Sequence, residues 1–195
     1  MTRTRVGVLI SGGGSNMGAL IAAAKAQDYP ADIVRVLSNT PDAGGLERAR
    51  AEGIEASAID SRPFGKDREA HERALDAALR EAGVEVVCLA GYMRLLTPWF
   101  VDAWSGRMLN IHPSLLPAFK GLHTHARALE AGMAEAGCTV HLVTADLDAG
   151  PILGQARVPV LPGDDEHSLA ARVLTAEHRL YPQCLAAFCA GLART

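Results

Sequence analysis

A short apolar run near the start of the chain leads directly into three glycines, and this feature limits the folds open to the sequence. Residues 6–10 read Val-Gly-Val-Leu-Ile, and residues 12–14 are all glycine. A run of this kind that ends in glycines is typical of a buried parallel strand entering a tight turn. A helix is predicted next, with Ser15 or Asn16 as its N-cap. Its apolar residues recur at helical spacing, at Met17, Leu20, Ile21 and Ala24.

The later segments alternate in the same way between strand-like and helix-like patterns. Strands are predicted at 33–37, 84–90, 108–111, 139–143 and 152–160, and helices at 46–51, 67–82, from Thr97-Pro98 onward, at 123–131 and at 167–190. This alternation predicts one three-layer α/β domain over residues 1–195, with a mostly parallel twisted sheet and helices on both faces. No helix separates the last two strands, so an antiparallel end is expected. Pro182 is expected to break or kink the last helix.

Composition excludes several classes of function. A net charge of -3 and an aromatic share of 5% leave neither a basic nor a base-stacking surface, so no nucleic-acid partner is expected. The four cysteines form no C-x-x-C pair and show no zinc spacing with histidine, so neither a disulfide framework nor a metal is expected. A reducing cytoplasm fits this pattern. The first apolar run is too short for a signal peptide or a membrane span.

The glycine turn predicts an anion site. Glycines allow close backbone approach, and a helix N-terminus presents unpaired N–H donors, so a phosphate is a natural ligand. A tight turn with an N-cap explains the same residues equally well. The G-x-G-x-x-G pattern fails at Met17, the second strand lacks a following acid for a ribose, and no Gly-Lys-Ser/Thr follows. A small phosphorylated molecule is therefore favoured over a dinucleotide or a triphosphate.

Two further motifs carry groups suited to acyl chemistry. Asn110 and His112 lie two residues apart on an extended segment, so their side chains point to the same side. An amide donor beside an imidazole can stabilise an oxyanion and move a proton. Asp148 follows a later strand and can orient or charge a histidine. The alternative is that all three are ordinary turn residues.

Other polar residues carry weaker signals. His123, His125 and His141 form a histidine-rich stretch that can suggest a metal, but histidines at a helix start and in loops lining the site explain it better. Glu177 falls on the last predicted helix, where a solvated polar face is expected. Arg68 is expected to be a surface arginine at a helix start.

Taken together, these segments resemble the folate-dependent phosphoribosylglycinamide formyltransferases, also called glycinamide ribonucleotide transformylases. The resemblance extends from residue 6 to about residue 182. It is carried by Ile-Ser-Gly-Gly-Gly-Ser-Asn at 10–16, Leu-Ala-Gly-Tyr-Met-Arg-Leu-Leu at 89–96, Leu-Asn-Ile-His-Pro-Ser-Leu-Leu-Pro at 109–117, Gly-Leu-His-Thr-His at 121–125 and Asp-Leu-Asp-Ala-Gly-Pro at 146–151. The third string marks enzymes that use formyltetrahydrofolate, and the glycine-rich opening narrows the match to the purine branch.

The resemblance implies a role for each matching residue. The implied catalytic residues are Asn110, His112 and Asp148, and the implied substrate-binding residues are Gly14, Ser15, Asn16 and Glu177. The implied folate-binding residues are Arg68, Met93, Arg94, Leu95, Leu96, Asn110, Thr144, Ala145, Asp146, Leu147 and Asp148. The implied fold is the formyltransferase fold. Its Rossmann-like N-terminal half would bind the substrate phosphate, and its C-terminal half would contribute to the folate cleft. Leu174, where better-known bacterial members carry a polar residue, and a shorter tail depart from the pattern.

The implied reaction is direct transfer of the formyl group from 10-formyltetrahydrofolate, a co-substrate, to the amine of glycinamide ribonucleotide. Asn110 and a protonated His112 would stabilise the oxyanion, while Asp148 supports the charge on His112 and shuttles a proton through water. No metal and no covalent enzyme intermediate is expected. The partners are these two small molecules, with neither membrane nor nucleic acid, and a homodimer remains open.

Three alternatives remain at this point. A 10-formyltetrahydrofolate hydrolase would use the same three residues with water as the attacking group, but its relatives carry an extra N-terminal regulatory domain. A methionyl-tRNA formyltransferase shares the His-Pro-Ser-Leu-Leu-Pro string but needs a C-terminal RNA-binding domain and basic charge. A non-catalytic binder of a small phosphorylated ligand would leave Asn110, His112 and Asp148 without a role.

Overall fold

The computed structural model describes residues 3–192. Within them the strands are β1 (Thr4–Ile10), β2 (Ala31–Ser38), β3 (Ala56–Ala58), β4 (Val86–Leu89), β5 (Met108–His112), β6 (Glu135–Leu142) and β7 (Ile152–Pro159). The α-helices are α1 (Ser15–Ala24), α2 (Gly44–Ala51), α3 (Arg68–Glu81), α4 (Pro98–Ala103), α5 (Thr124–Glu130) and α6 (Glu166–Leu192), and a 3-10 turn covers Arg62–Phe64.

The seven strands form one sheet in the order β3-β2-β1-β4-β5-β6-β7. Strands β1 to β5 pair in parallel, whereas β6 pairs antiparallel with both β5 and β7. The predicted mostly parallel sheet with an antiparallel end is thus confirmed. The short connection between β6 and β7 explains the antiparallel pairing of these two strands, because parallel neighbours need a long crossover.

Two hydrophobic clusters cover the two faces of the sheet, as alternation along β1 shows. Val6, Val8 and Ile10 join one cluster, which includes side chains of α1 and α6, whereas Leu9 joins the other, which includes side chains of α3 and α4. Successive side chains of a strand point to opposite faces, so β1 is buried on both sides. The predicted three-layer architecture is therefore confirmed.

The strand order reverses at β1, which lies between β2 and β4. In open α/β sheets ligands bind beyond the carboxyl ends of the strands at such a reversal. Residues 11–14, called the glycine loop below, follow β1. Residues 90–97 follow β4, and His112 ends β5. The fold thus places these three segments at the carboxyl ends of the parallel strands β1, β4 and β5.

Some local predictions are wrong. Helix α6 continues through Pro182, so the expected break is absent, while the alternative, a kink, stays a prediction. Fully buried neighbours such as Tyr181 and Leu185 anchor it to the sheet, and that packing outweighs the hydrogen bond a proline removes. Strand β3 and the 3-10 turn were not predicted, because their segments are too short for a periodic pattern. The start predicted at Thr97-Pro98 is confirmed, since the Thr97 hydroxyl accepts a hydrogen bond from the Phe100 N–H.

Within residues 3–192, none of the helices combines the length and the apolar character needed to cross a membrane.

Candidate active site

A cleft of about 1200 Å³ opens at the carboxyl ends of β4 and β5. Most of the predicted site residues line it: Asn16, Met93, Arg94, Leu95, Leu96, Asn110, His112, Thr144, Ala145, Asp146, Leu147, Asp148 and Glu177. Gly14, Ser15 and Arg68 do not contribute to its walls. Arg68 is exposed, and its guanidinium is 3.4 Å from the carbonyl oxygen of Leu95, a residue that does line the cleft.

His112 ends β5 with both ring nitrogens facing an oxygen. Its Nε2 lies 2.9 Å from the carbonyl oxygen of Phe119, and its Nδ1 lies 3.5 Å from Oδ2 of Asp148. A carbonyl oxygen only accepts hydrogen bonds, so Nε2 carries a proton. When Nδ1 is protonated as well, the ring is positively charged and faces the carboxylate. His112 and Asp148, which were predicted to act as a pair, are therefore neighbours in the fold.

Asp148 is held in place by backbone as well as by histidines. It adopts a left-handed φ of 47°, and the Gly121 N–H donates to its Oδ2 at 2.9 Å. Its Oδ1 lies 3.7 Å from Nε2 of His141, and its side chain is only 7% exposed. Asp148 can take up this rare backbone conformation because aspartate tolerates it better than most residues. The carboxylate thus sits between two imidazole rings.

His141 contributes more to the site than the sequence indicated. It lies on β6, inside the strand predicted at 139–143, directly opposite Asn110 of β5. Its Nδ1 lies 2.9 Å from the Leu142 carbonyl and its Nε2 lies 3.2 Å from Nδ2 of Asn110. The carbonyl contact places the proton on Nδ1, so Nε2 accepts from the Asn110 amide. Burial lowers the pKa of His141, which favours this neutral form.

The glycine loop presents the open end of α1. Gly14 is the N-cap residue, with a left-handed φ of 65°, and no side chain caps the helix. The predicted capping by Ser15 or Asn16 is therefore wrong. The first intrahelical bond runs from the Gly18 N–H to the Gly14 carbonyl, so the N–H groups of the first turn have no acceptor within the helix. Such a helix end attracts anions.

Asn16 is bonded instead to the far end of the chain. Its Nδ2 donates to Oε2 of Glu177 at 2.8 Å, and both residues are buried. The solvated position expected for Glu177 is therefore wrong, because α6 packs against α1 along this line. Burial raises the pKa of Glu177, while the hydrogen bond from Asn16 opposes that shift. Nothing local in the sequence signals a contact between such distant residues.

The segment after β4 forms an apolar rim. Met93 and Leu95 are 68% and 62% exposed, and Leu147 on the opposite loop is 53% exposed. Exposed apolar groups clustered at a cleft are typical of a ligand-binding groove. The Met93 N–H donates to the Ser11 hydroxyl at 2.8 Å, which links this rim to the loop after β1.

His123 and His125 also line the cleft. His123 is the N-cap residue of α5, with a left-handed φ, and burial lowers the pKa of His125. Among residues 3–192, no group of three or more histidine, cysteine or carboxylate side chains is arranged to hold a metal ion.

An open α/β sheet whose cleft gathers an amide, two imidazoles and a carboxylate is the arrangement of an α/β enzyme. Within this class the chain belongs to the formyl transferase family, whose model matches residues 4–185.

Relatives within the family are close. The chain is 49% identical over 184 residues to the phosphoribosylglycinamide formyltransferase of Escherichia coli K12, covering 94% of this chain and 86% of that protein. The chain is also 50% identical over 194 residues to the trifunctional purine biosynthetic protein adenosine-3 of Drosophila pseudoobscura pseudoobscura. This match covers 98% of the chain but only 14% of the length of that relative. The crystal structure of phosphoribosylglycinamide formyltransferase from Brucella melitensis superimposes with a TM-score of 0.93 at 59% identity, covering 97% of both chains.

Proposed function

We propose that this protein transfers the formyl group of 10-formyltetrahydrofolate to the amine of glycinamide ribonucleotide, a step of purine biosynthesis. The observation that carries the proposal is the convergence of Asn110, His112 and Asp148 in one cleft. The names of the Escherichia coli and Brucella melitensis relatives support this choice of substrate.

Two ligands of different chemistry suit the two ends of the cleft. The phosphate of the ribonucleotide would bind the N–H groups at the start of α1, from Gly14 to Asn16, where Asn16 lines the cleft and Gly14 and Ser15 precede it in the chain. Glu177 would then contact the ribose and lies beside Asn16. The folate would occupy the region rimmed by Met93, Leu95 and Leu147, whose exposed apolar side chains suit its ring system. The amine and the formyl group would then meet between these regions.

The chemistry follows from the donors near the meeting point. The amine attacks the formyl carbon, and the carbonyl oxygen becomes an oxyanion. Asn110 offers it one N–H, because the other N–H of its amide is taken by His141. His112 offers its Nδ1–H, since that nitrogen has only a long contact with Asp148 while Nε2 is bonded to Phe119.

Asp148 completes the transfer by balancing charge. Its carboxylate faces the charged His112 ring, and through a water it carries a proton from the attacking nitrogen to the leaving folate nitrogen. The bond between the formyl carbon and the folate nitrogen then breaks. Neither a metal nor a covalent enzyme intermediate takes part in this scheme.

The four cysteines support a cytoplasmic location, which forms part of the proposal. Cys88, Cys138, Cys184 and Cys189 are all free thiols and all buried. Free thiols are the rule in a reducing compartment.

One assay tests the proposed function against its rivals. The purified protein is incubated with 10-formyltetrahydrofolate, with and without glycinamide ribonucleotide, and the folate absorbance is followed. Turnover that requires the ribonucleotide is expected. Equal turnover without it would favour a hydrolase, and binding of the ribonucleotide without any turnover would favour a binding protein. Asn110→Ala serves as the matched inactive control.

A further inference from the structure

The glycine loop is held from one side by residues 40–48, which run from the connection after β2 into α2 and are called the β2–α2 segment below. The carbonyl oxygen of Ser11 accepts from the Thr40 hydroxyl at 3.0 Å. The next carbonyl, of Gly12, accepts from the Gly45 N–H at 3.0 Å, and that of Gly13 accepts from the Arg48 guanidinium at 3.1 Å. Three successive carbonyls of the loop therefore point toward residues 40–48.

The direction of these carbonyls determines where the loop N–H groups point. In a planar trans peptide the C=O of one residue and the N–H of the next point to opposite sides. Because the carbonyls of residues 11–13 face residues 40–48, the N–H groups of residues 12–14 face away from those residues. Successive N–H groups turned to one side form a concave anion site. Residues 40–48 thereby give the loop the orientation that a phosphate needs.

Gly45 permits the close approach on which this arrangement depends. A Cβ at this position would lie 2.5 Å from Cδ1 of Ile10 and 3.0 Å from the Gly12 carbonyl oxygen. A Cβ at the preceding Gly44 would have no neighbour within 4 Å. Only the second glycine of the pair is therefore required by the contact between α2 and the loop.

We propose that the β2–α2 segment sets the anion-binding form of the glycine loop, and that Arg48 is a positioning residue for the phosphate of the substrate. This inference rests on the proposed function, which places the ribonucleotide phosphate at this loop. Arg48 acts through the Gly13 carbonyl, which accepts its hydrogen bond on the side of the loop opposite to the N–H groups. Arg50, on the same helix, donates to the Ala56 carbonyl at 3.0 Å, so it ties α2 to β3 and has no contact with the loop.

Two matched pairs of variants test the inference. Arg48→Met removes a bond to the loop and Arg50→Met removes a comparable bond elsewhere on α2, while Gly45→Ala introduces a steric conflict that Gly44→Ala avoids. Binding of glycinamide ribonucleotide, ribose 5-phosphate and a folate analogue is measured by calorimetry, together with kcat, KM and the melting temperature. Arg48→Met and Gly45→Ala should weaken binding of both phosphorylated ligands by about five- to tenfold, as expected for one lost hydrogen bond. Folate binding and kcat at saturation should stay unchanged.

The outcomes separate this inference from the proposed function. Arg48→Lys, which keeps one donor and the charge, should recover part of the lost affinity. If Arg48→Met binds phosphorylated ligands as tightly as Arg50→Met, or loses folate affinity equally, the inference is wrong. If Gly45→Ala does not fold, the comparison of Arg48→Met with Arg50→Met still tests the inference, because both arginines are exposed. A wild-type protein that neither binds nor formylates the ribonucleotide would instead overturn the proposed function itself.

Discussion

The amide nitrogen of Asn110 lies 3.2 Å from Nε2 of His141, across the antiparallel pairing of β5 with β6. His141 is locked as an acceptor at this atom, because its other nitrogen faces the Leu142 carbonyl at 2.9 Å. The contact decides which way the Asn110 amide is turned: its nitrogen faces His141, and its second N–H remains for a ligand. The orientation of the proposed oxyanion donor thus depends on a residue of the neighbouring strand.

Replacing His141 should therefore lower catalysis by misorienting Asn110. We expect His141→Phe to reduce kcat by about tenfold or more, since a misplaced oxyanion donor loses much of its effect. His141→Gln retains an acceptor and should recover part of the loss. Steady-state kinetics and folate binding measured on both variants would check this. Equal losses for Phe and Gln, or a loss confined to KM, would contradict an orienting role.

The His112–Asp148 pair gives a second prediction. Asp148→Asn keeps the shape of the side chain and removes the charge that faces Nδ1 of His112 at 3.5 Å. The loss in kcat should be about 10²–10⁴-fold, the usual scale of acid–base contributions. Asn110→Ala should cost about 10²–10³-fold by removing one oxyanion donor.

Coupling between the two residues is tested by a double variant. Asp148→Asn combined with His112→Ala should cost less than the product of the single losses, because groups that act as a unit are not additive. The control is the melting temperature of each variant, which should show that all remain folded. Strictly multiplicative losses would show that Asp148 and His112 act independently.

Much of the fold could be predicted because it rests on local patterns. The apolar run into glycines 12–14 has few other solutions than a strand, a turn and a helix, and the absence of a helix between β6 and β7 implied antiparallel pairing. Short elements escaped, since the three residues of β3 are too few to show a period. The persistence of α6 through Pro182 depends on burial, which a sequence does not display.

The site could be predicted only where its residues share a motif. Asn110 and His112 are two residues apart on one strand, so their common direction follows from strand geometry. The partnership of Asn110 with His141 depends on the register between β5 and β6. The hydrogen bond from Asn16 to Glu177 joins residues 161 positions apart. Local patterns therefore indicated an N-cap at Asn16 and a solvated position for Glu177. Contacts of this kind are decided by packing between elements.

Gly14 offers a prediction about the loop itself. Its φ of 65° is unfavourable for any residue with a Cβ, and that atom would lie 2.9 Å from Cε of Met17 and 3.2 Å from Cα of Gly45. Gly14→Ala should weaken ribonucleotide binding by tenfold or more and leave folate binding intact, as calorimetry would show. Gly53→Ala is the control, because Gly53 has a φ of 76° but open space around it. Both should lose stability through backbone strain of about 1–2 kcal/mol. Equal ribonucleotide affinity in the two variants would contradict the placement of the phosphate.

Glu177 connects stability with pH. Burial raises the pKa of this carboxyl group in the folded chain above its ordinary value of 4.5. Between the ordinary pKa and the raised pKa, the folded chain therefore holds a proton that the unfolded chain has released. The free energy of unfolding therefore falls as pH rises through that interval and stays lowered above it. Glu177→Gln removes the titration and keeps an oxygen that accepts from Asn16. Its melting temperature should match the wild type below pH 4.5 and exceed it by a few degrees near neutral pH, while ribonucleotide affinity falls. Thermal unfolding of both proteins across pH 4 to 8 tests this, and a constant difference at every pH would show that Glu177 is ionised as easily in the folded chain as in the unfolded one.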